Sequence, residues 1–490
     1  RVGLARGSTH PTEHDYATRR DIGDSRRNPM AYDFDLVVIG GGPAGYAGAI
    51  RAAQLGKRVL CVERDKLGGI CLNWGCIPTK ALLTNAHLVE LISRHGKAFG
   101  YSGEAKWDFG QMIGRSRSVA GNLNKGIESL FKKYKVEHKI GVAKVVAKNK
   151  VQVGDQTVTA ESIVVATGVR PRPLPGADFD GKQIISYKEA MSLTTQPKSM
   201  LIIGAGPIGL EFGYFYNAIG TKVTVIELQD RVLPGEDDDS STALGKSLTK
   251  RGIEILTSSK TGKVTKSPTG VKVEVETPQG PKTFEAEVML VSIGVLGNIE
   301  GVFAESLGVE FFKGHIKVDP KKGYVTNVPG IYAVGDVIGP PWLAHVAHHE
   351  AISCIETLCG KKVHPVDYSN VPGCTYTDPG VASVGLTERA AREAGYELRI
   401  GKFPFIASGR AQAADETEGF VKLIFDKKHG ELLGAHLVGS HATELIAELV
   451  MAKKLEATEE EIIHAMHPHP TFSEAVMEAA GQAMGESVHI

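Results

Sequence analysis

The chain is 490 residues long, 42% apolar and 23% charged, with 57 glycines and equal numbers of basic and acidic side chains. That length exceeds what one core accommodates, so two to four domains are expected. A formal net charge of zero gives no reason to expect nucleic acid or an anionic membrane as partner, and no apolar run reaches the roughly 18 residues of a membrane-spanning helix. Six cysteines, Cys61, Cys71, Cys76, Cys354, Cys359 and Cys374, are too few and too scattered for a secreted disulfide scaffold. A reducing compartment is expected, the cytoplasm before the mitochondrial matrix.

Residues 1–29 are polar, mixed in charge and free of apolar periodicity. They have no hydrophobic stretch for a secretory signal, and their four acidic residues argue against a mitochondrial presequence. The expectation is a disordered leader or an expression artefact, with Met30 as the true start. From Phe34 the pattern changes. Leu36 to Ile39 fit a buried strand, and Gly40, Gly42 and Gly45 follow in G-x-G-x-x-G spacing. An alanine-rich helical stretch leads to a second apolar run that ends at Glu63, 18 residues after Gly45. Strand, glycine turn, helix and acidic strand end together make a dinucleotide-binding unit. The glycines let backbone approach a pyrophosphate at a helix N-terminus, and Glu63 is placed to accept hydrogen bonds from a ribose diol.

Residues 69–83 read GICLNWGCIPTKALL. A plant-type iron–sulfur site would continue C-x4-C with a third cysteine, but position 79 is Thr79. Structural zinc would want a second ligand pair; Cys354 and Cys359 repeat the gap without a histidine pattern. Two buried free thiols remain the bland reading. The position of Cys71 and Cys76 just beyond Glu63, inside a nucleotide-binding unit, favours a redox pair, and Lys80 would favour thiolate at a nearby sulfur.

The unit then recurs. Gly204, Gly206, Gly209 and Glu227 are each displaced by 164 residues from Gly40, Gly42, Gly45 and Glu63. A carboxylate at the ribose position repels a 2′-phosphate and no arginine cluster follows, so NAD is expected over NADP. The apolar runs IVVATG (163–168), MLVSIG (289–294) and IYAVGD (331–336) each meet a glycine. Asp336, at the end of the last, could cap the following helix or bind a ribityl hydroxyl. Near the C-terminus, His469 lies between Pro468 and Pro470, outside any helix interior. Thr471 to Glu474 reads as a capping box with Glu474 at N3, and His467 is a weaker candidate than His469 for the same site.

GGICLNWGCIPTKALL, the two glycine units, YAVGD, LAHVA (343–347) and HPHPTFSEA (467–475) together resemble the pyridine nucleotide–disulfide oxidoreductases. The likeness runs from about residue 33 to the C-terminus and is strongest to the branch that oxidises dihydrolipoyl groups with NAD+. It implies an α/β chain with two Rossmann-like dinucleotide-binding domains, for FAD at 30–175 and for NAD at 176–294. A central segment at 295–365 would complete the FAD site, and a C-terminal α+β dimerisation domain at 366–490 would form a homodimer. The implied partners are the lipoyl domains and E2 core of a 2-oxoacid dehydrogenase complex. Cys71 matches the interchange thiol, Cys76 the flavin-side thiol, and Lys80 with Glu211 an ion pair beside the flavin. Ala143, Thr167, Gly168, Asp336, Trp342, Leu343, Ala344 and His345 match further flavin contacts, and Gly294 a nicotinamide-side contact. His469 matches a catalytic base supplied across the dimer, with Glu474 as its orienting carboxylate.

Some positions depart from the family pattern: Val295 and Gly297 replace an arginine and a proline, Asp378 and Gly380 replace residues more often His and Glu, and Trp74 between the cysteines could narrow access. Rival expectations are a glutathione-type reductase using NADPH, which Glu227 disfavours, and a non-catalytic flavoprotein subunit, which the intact Cys71, Cys76 and His469 disfavour. A mercuric reductase would need a C-terminal cysteine pair, and the chain ends GESVHI.

Overall fold

The computed structural model describes residues 32–490; the leader reading and Met30 lie outside the described residues. The first unit runs β1 (Phe34–Ile39), α1 (Pro43–Gln54), β2 (Val59–Glu63), α2 (Gly69–Trp74), α3 (Cys76–Glu90), α4 (Phe109–Tyr134), β3 (Glu137–Ile140), β4 (Ala143–Ala147), β5 (Lys150–Val153), β6 (Gln156–Val165) and β7 (Val169–Pro171). Its sheet has the order β3-β2-β1-β6-β5-β4. β1 pairs in parallel with both β2 and β6, and Leu36 to Ile39 are buried, as the hydrophobic run FDLVVI demands of a central parallel strand. No side chain caps α1; Pro43 opens it after Gly42, so its first amides are directed at the glycine turn.

The second unit repeats the plan: β8 (Ile184–Ile185), α5 (Tyr187–Ala190), β9 (Ser199–Ile203), α6 (Pro207–Ala218), β10 (Lys222–Ile226), α7 (Asp238–Lys250), β11 (Glu254–Leu256), then the antiparallel β12 (Lys260–Ser267), β13 (Gly270–Thr277) and β14 (Gly280–Ala286), and β15 (Val288–Val291). The parallel sheet is ordered β11-β10-β9-β15-β8. The chain then returns to the first unit. β16 (Val295–Gly297) pairs antiparallel with β7, the small β17 (Phe311–Phe312) and β18 (His315–Ile316) pair together, and β19 (Ile331–Ala333) adds in parallel to β6. The following α8 (Ala344–Leu358) lies along α1, with Gly48 facing Ala351 and Ile355. Residues far along the chain thus complete the first unit's core.

The C-terminal unit is an antiparallel sheet, β20-β21-β24-β23-β22. It is built from β20 (Gly373–Thr375), β21 (Gly380–Gly385), α9 (Glu388–Glu393), β22 (Leu398–Pro404), α10 (Gly409–Ala414), β23 (Phe420–Asp426), β24 (Leu432–Gly439), α11 (Ala442–Lys454), α12 (Glu459–His464) and α13 (Glu474–Met484). α13 lies so close on β22 that a Cβ on Gly401 would stand 1.7 Å from the Ala479 carbonyl oxygen. Among the described residues no helix is long and apolar enough to cross a membrane.

Lys422, on β23, joins this unit to the second. Its side chain is 3% exposed and meets Asp237 at 2.9 Å, Asp239 at 3.0 Å and Glu388 at 2.8 Å. Burial alone would drive off its proton, but the three carboxylates outweigh that and hold the ammonium above its usual range. Lys422→Met leaves three carboxylates facing an apolar stub, and the expected cost is about 3–5 kcal/mol. Chemical denaturation of the holoprotein checks this against Lys260→Met, which removes an exposed pair and should cost less than about 1 kcal/mol.

Candidate active site

The two glycine turns are built alike. A Cβ on Gly45 would fall 1.8 Å from the Gly40 carbonyl oxygen, and one on Gly40 2.2 Å from that of Ala166. In the second turn a Cβ on Gly209 would lie 2.1 Å from the Gly204 oxygen, and one on Gly204 2.6 Å from that of Ser292. Helix, turn and strand could not pack with any other residue at these positions. The middle glycines differ: around Gly42 the nearest atom is at 3.8 Å, and around Gly206 nothing lies within 4 Å. The fold does not require them to be glycine, whereas a pyrophosphate approaching the backbone at a helix N-terminus does. Glu63 accepts from the amides of Gly41 at 2.6 Å and Asp65 at 2.9 Å. Glu227 repeats this with Ala205 and Gln229, both at 2.7 Å. Each glutamate therefore braces its own glycine turn, and each carboxylate oxygen keeps a second lone pair for a ribose hydroxyl.

The cysteine segment is two helices joined by one residue. α2 ends at Trp74, Gly75 takes φ −146° and ψ −115°, and Cys76 is the first residue of α3. Cys71 and Cys76 are both free, partly exposed thiols. Hydrogen bonding between their sulfurs separates them, pushing Cys71 up and Cys76 down. Burial opposes ionisation at both, but Cys76 sits at a helix N-terminus within reach of Lys80, so its thiolate is the favoured one. Lys80 Nζ lies 2.9 Å from each carboxylate oxygen of Glu211. Glu211 Oε1 also accepts the Tyr376 amide at 2.9 Å, and the Tyr376 ring lies 4.2 Å beneath Nζ. Tyr376 was not evident from the sequence, because only the fold brings β20 to α6. Trp74 is engaged by cations: Lys188, Arg117 and Lys66 lie 4.7, 5.3 and 5.6 Å from its ring.

Thr167 and Gly168, just past β6, are locked to Asn298 by three hydrogen bonds. Gly168 and Gly294 both take left-handed φ, +65° and +100°. Ala143 is buried at the start of β4. Asp336 lies in a short 3-10 turn after β19, where burial lifts its carboxyl to about 6. Trp342, Leu343, Ala344 and His345 lead into α8; Trp342 packs near His315 with ring centroids 5.8 Å apart, and His345 Nε2 lies 3.1 Å from the Pro372 oxygen. Behind Asp336 stands Glu350, absent from the sequence reading. It accepts from the Gly335 amide and the Tyr368 hydroxyl, both at 2.7 Å, and Tyr368 continues to Tyr324 at 3.1 Å. One signal was available: a glutamate on an otherwise apolar helix face six residues after LAHVA begins its helix.

At the C-terminus, His469 Nδ1 lies 2.8 Å from Glu474 Oε1, while Glu474 Oε2 accepts the Thr471 amide at 2.8 Å. Burial raises the Glu474 carboxyl, but the Thr471 amide and His469 outweigh it and hold it below its usual value. The capping box is only half formed. Glu474 opens α13 as its first residue rather than its third, and Thr471 Oγ1 donates to Pro468 O instead of capping. His469 is 80% exposed; His467 is 6% exposed, with Nε2 2.8 Å from Glu448 and Nδ1 2.8 Å from the Ala465 oxygen. Both ring nitrogens of His467 are thus committed, which leaves His469 as the free base.

The departures find local reasons. Gly297 admits the Gly314 carbonyl, 2.5 Å from where a Cβ would be, and its own oxygen accepts from Arg170 at 2.6 Å. Asp378 lies 3.6 Å from Arg251 and 3.7 Å from His87, and Arg251 also meets Glu90 and Glu418. At Gly380 a Cβ would stand 3.2 Å from the Gly439 oxygen, so a long side chain there would have to turn away from β24. Among the described residues no group of three or more His, Cys, Asp or Glu is arranged to hold a metal ion.

Residues 34–351 match the family model described as pyridine nucleotide-disulphide oxidoreductase, and residues 371–480 match the dimerisation domain of the same family. The chain belongs to the pyridine nucleotide-disulphide oxidoreductases. It is 47% identical over 480 residues to a dihydrolipoyl dehydrogenase of Rhizobium etli, covering 93% of this chain and 99% of that one. It is 44% identical to one of Zymomonas mobilis, covering 94% and 100%. Among solved structures, LpdA from Mycobacterium tuberculosis superposes with a TM-score of 0.84 at 28% identity, over 91% of this chain and 98% of that chain.

Glu350 gives the site a pH dependence. Burial raises its carboxyl to about 7 from the usual 4.5, more than the Tyr368 and Gly335 bonds lower it. Between those values the folded chain keeps a proton that the unfolded chain releases, so stability present at acid pH is lost as pH rises to about 7. The contribution is on the order of 3 kcal/mol. Glu350→Gln should remove it and flatten the pH dependence of the denaturation midpoint between pH 4.5 and about 7. An unaltered pH slope in that variant would contradict the assignment.

Proposed function

We propose that this chain is a dihydrolipoyl dehydrogenase, oxidising dihydrolipoyl groups to the cyclic disulfide with NAD+ as final acceptor. The observation that carries the reading is the polarised cysteine pair, one thiol at a helix N-terminus near Lys80 and the other raised beside it. The substrate class follows from the near full-length likeness to dihydrolipoyl dehydrogenases.

In the oxidised resting form Cys71 and Cys76 share a disulfide. His469, its Nδ1–H held by Glu474, presents Nε2 as acceptor for a proton from the first substrate thiol. The resulting thiolate attacks Cys71 Sγ, and Cys76 departs as a thiolate stabilised by α3 and Lys80. The second substrate thiol, deprotonated in turn, attacks the substrate sulfur bound to Cys71, closes the lipoyl disulfide and leaves the enzyme dithiol. Glu474 stabilises the imidazolium that forms on the way. FAD and NAD+, when bound, supply the two-electron outlet that returns the pair to its disulfide.

The first glycine turn, Glu63, Lys80, Glu211, Ala143, Thr167, Gly168, Asp336 and the Trp342–His345 stretch would hold FAD. Gly204, Gly206, Gly209, Glu227 and Gly294 would hold NAD, with Glu227 selecting the unphosphorylated ribose. His469 and Glu474 lie inside the matched dimerisation domain, so the base is read as serving the partner's cysteines in a homodimer. The physiological substrate is then the lipoyl domain of a 2-oxoacid dehydrogenase complex, docked with its E2 core. The cytoplasm suits the free cysteines; a plant relative, at 42% identity, is a mitochondrial dihydrolipoyl dehydrogenase, which keeps the matrix as the alternative.

Anaerobic titration with dihydrolipoamide followed by NAD+ tests the reading. Thiol oxidation should be matched by NADH, and Cys71→Ser should abolish both. His469→Gln should lower kcat roughly 100-fold or more while leaving flavin binding intact. A holoprotein that reacts with NADH but ignores dihydrolipoamide would move the substrate to another disulfide.

A further inference from the structure

Three consecutive residues of α4 grip the cysteine segment. Arg115 donates to the Ala81 oxygen at 2.9 Å, Ser116 to the Pro78 oxygen at 3.0 Å, and Arg117 Nη1 to the Asn73 oxygen at 2.6 Å. The first two reach α3. The third reaches the last turn of α2, whose terminal carbonyls have no partners within their own helix. Asn73 is itself buried, its side chain donating to the Leu67 and Gly69 oxygens at 2.9 and 3.0 Å. The Asn73 carbonyl is therefore fixed from both directions, three residues before Cys76.

Arg117 is unusual in its charge balance. Its Nη2 meets Met191 Sδ at 3.2 Å and Ser116 Oγ at 3.3 Å, and its guanidinium lies 5.3 Å over the Trp74 ring. Among the described residues no carboxylate pairs with it, and its Nε is buried without a partner. Its counter-charge is the negative end of α2. That end stands one residue from Cys76, where it opposes the positive end of α3.

We propose that Arg117, seated on Trp74, is a positioning residue for the redox pair: it fixes the α2 terminus so that Gly75 presents Cys76 to α3, and its charge offsets the negative end of α2 that would otherwise oppose a thiolate at Cys76. Trp74 is the platform that keeps the guanidinium in place, with Lys188 stacked on the same ring. Other charged or titratable groups face the pair from the elements packed around it. Lys80 of α3 favours the thiolate, Glu211 of α6 and Asp336 oppose it, and Cys71 and Tyr46 complete the surroundings.

This inference rests on the reading of Cys71 and Cys76 as the redox pair, and the test separates the two. In a Cys71→Ser holoprotein, the rate at which iodoacetamide alkylates Cys76 is followed against pH by peptide mass spectrometry. The midpoint should lie below that of an ordinary thiol. Arg117→Met in the same background should raise it by about half to one pH unit, slowing alkylation at neutral pH roughly 3- to 10-fold. Arg117→Lys should recover part of the shift. Arg117→Gln, which keeps a donor for the Asn73 oxygen and loses only charge, should behave as Arg117→Met does and stands in if the methionine variant loses flavin. If Cys71 and Cys76 of the unsubstituted holoprotein do not become alkylatable on reduction with dihydrolipoamide or dithiothreitol, the redox reading itself is overturned. A midpoint that Arg117→Met and Arg117→Gln leave unmoved overturns the role of Arg117 alone.

Discussion

Lys80 lies half-buried at a point where three parts of the chain meet, against a buried Glu211. Its carbon stem belongs to the cysteine helix α3, its counter-ion Glu211 to the nucleotide helix α6 of the second unit, and the aromatic face beneath it to Tyr376 of the C-terminal unit. Removing the Lys80 ammonium would strand the buried Glu211 carboxylate without its ion-pair partner, at a cost on the order of a few kcal/mol. The arrangement therefore ties the cysteine helix to the helix of the second nucleotide turn and to the C-terminal unit. The same device recurs at the Lys422 cluster and at Arg251, which gathers Glu90, Asp378 and Glu418 from three regions of the sequence. Buried charge, matched across boundaries, holds the units in register.

Local chemistry was legible from the sequence because its causes are local. A glycine that a carbonyl oxygen overhangs must be a glycine wherever it sits, so Gly40, Gly45, Gly204 and Gly209 announce their turns without any tertiary context. The 164-residue repeat is readable for the same reason. What could not be read was pairing across the fold: Asn298 with Thr167 over 131 residues, or Tyr376 with Glu211 over 165. No periodicity encodes such contacts. Glu350 was hidden for a different reason, since a single acid on a helix is ordinarily solvated and only the closing of α8 onto α1 buries it. At Glu474 the pattern S/T-x-x-E was present but its geometry was not: the tight turn after Pro470 starts α13 late, and one oxygen is left over for His469 rather than for a second cap.

Aspartate at 378, where the family more often has histidine, shows how a departure is absorbed. A histidine there would face Arg251 and His87, two groups that can both be cationic. Asp378 instead supplies a negative charge to both, and burial, which alone would neutralise it, is outweighed by His87 and Arg251. The substitution changes the charge of the junction rather than the site of chemistry. Gly297 works through space instead, admitting a backbone carbonyl where a proline ring would clash.

The cysteine segment shows why two thiols five residues apart need not be alike. A continuous helix would place both sulfurs in similar fields. The break at Gly75 instead leaves Cys71 as the third residue of the six-residue α2 and makes Cys76 the first residue of α3. The closing carbonyls of α2 and the opening amides of α3 then flank Gly75, a negative end beside a positive one. Lys80 reinforces the positive side from one turn further along, and Arg117 blunts the negative side at the Asn73 carbonyl. The sulfur that must leave readily thus differs from the sulfur that must be attacked. That difference begins with the hydrogen bond between the two sulfurs and is deepened by Lys80 and by the helix break at Gly75.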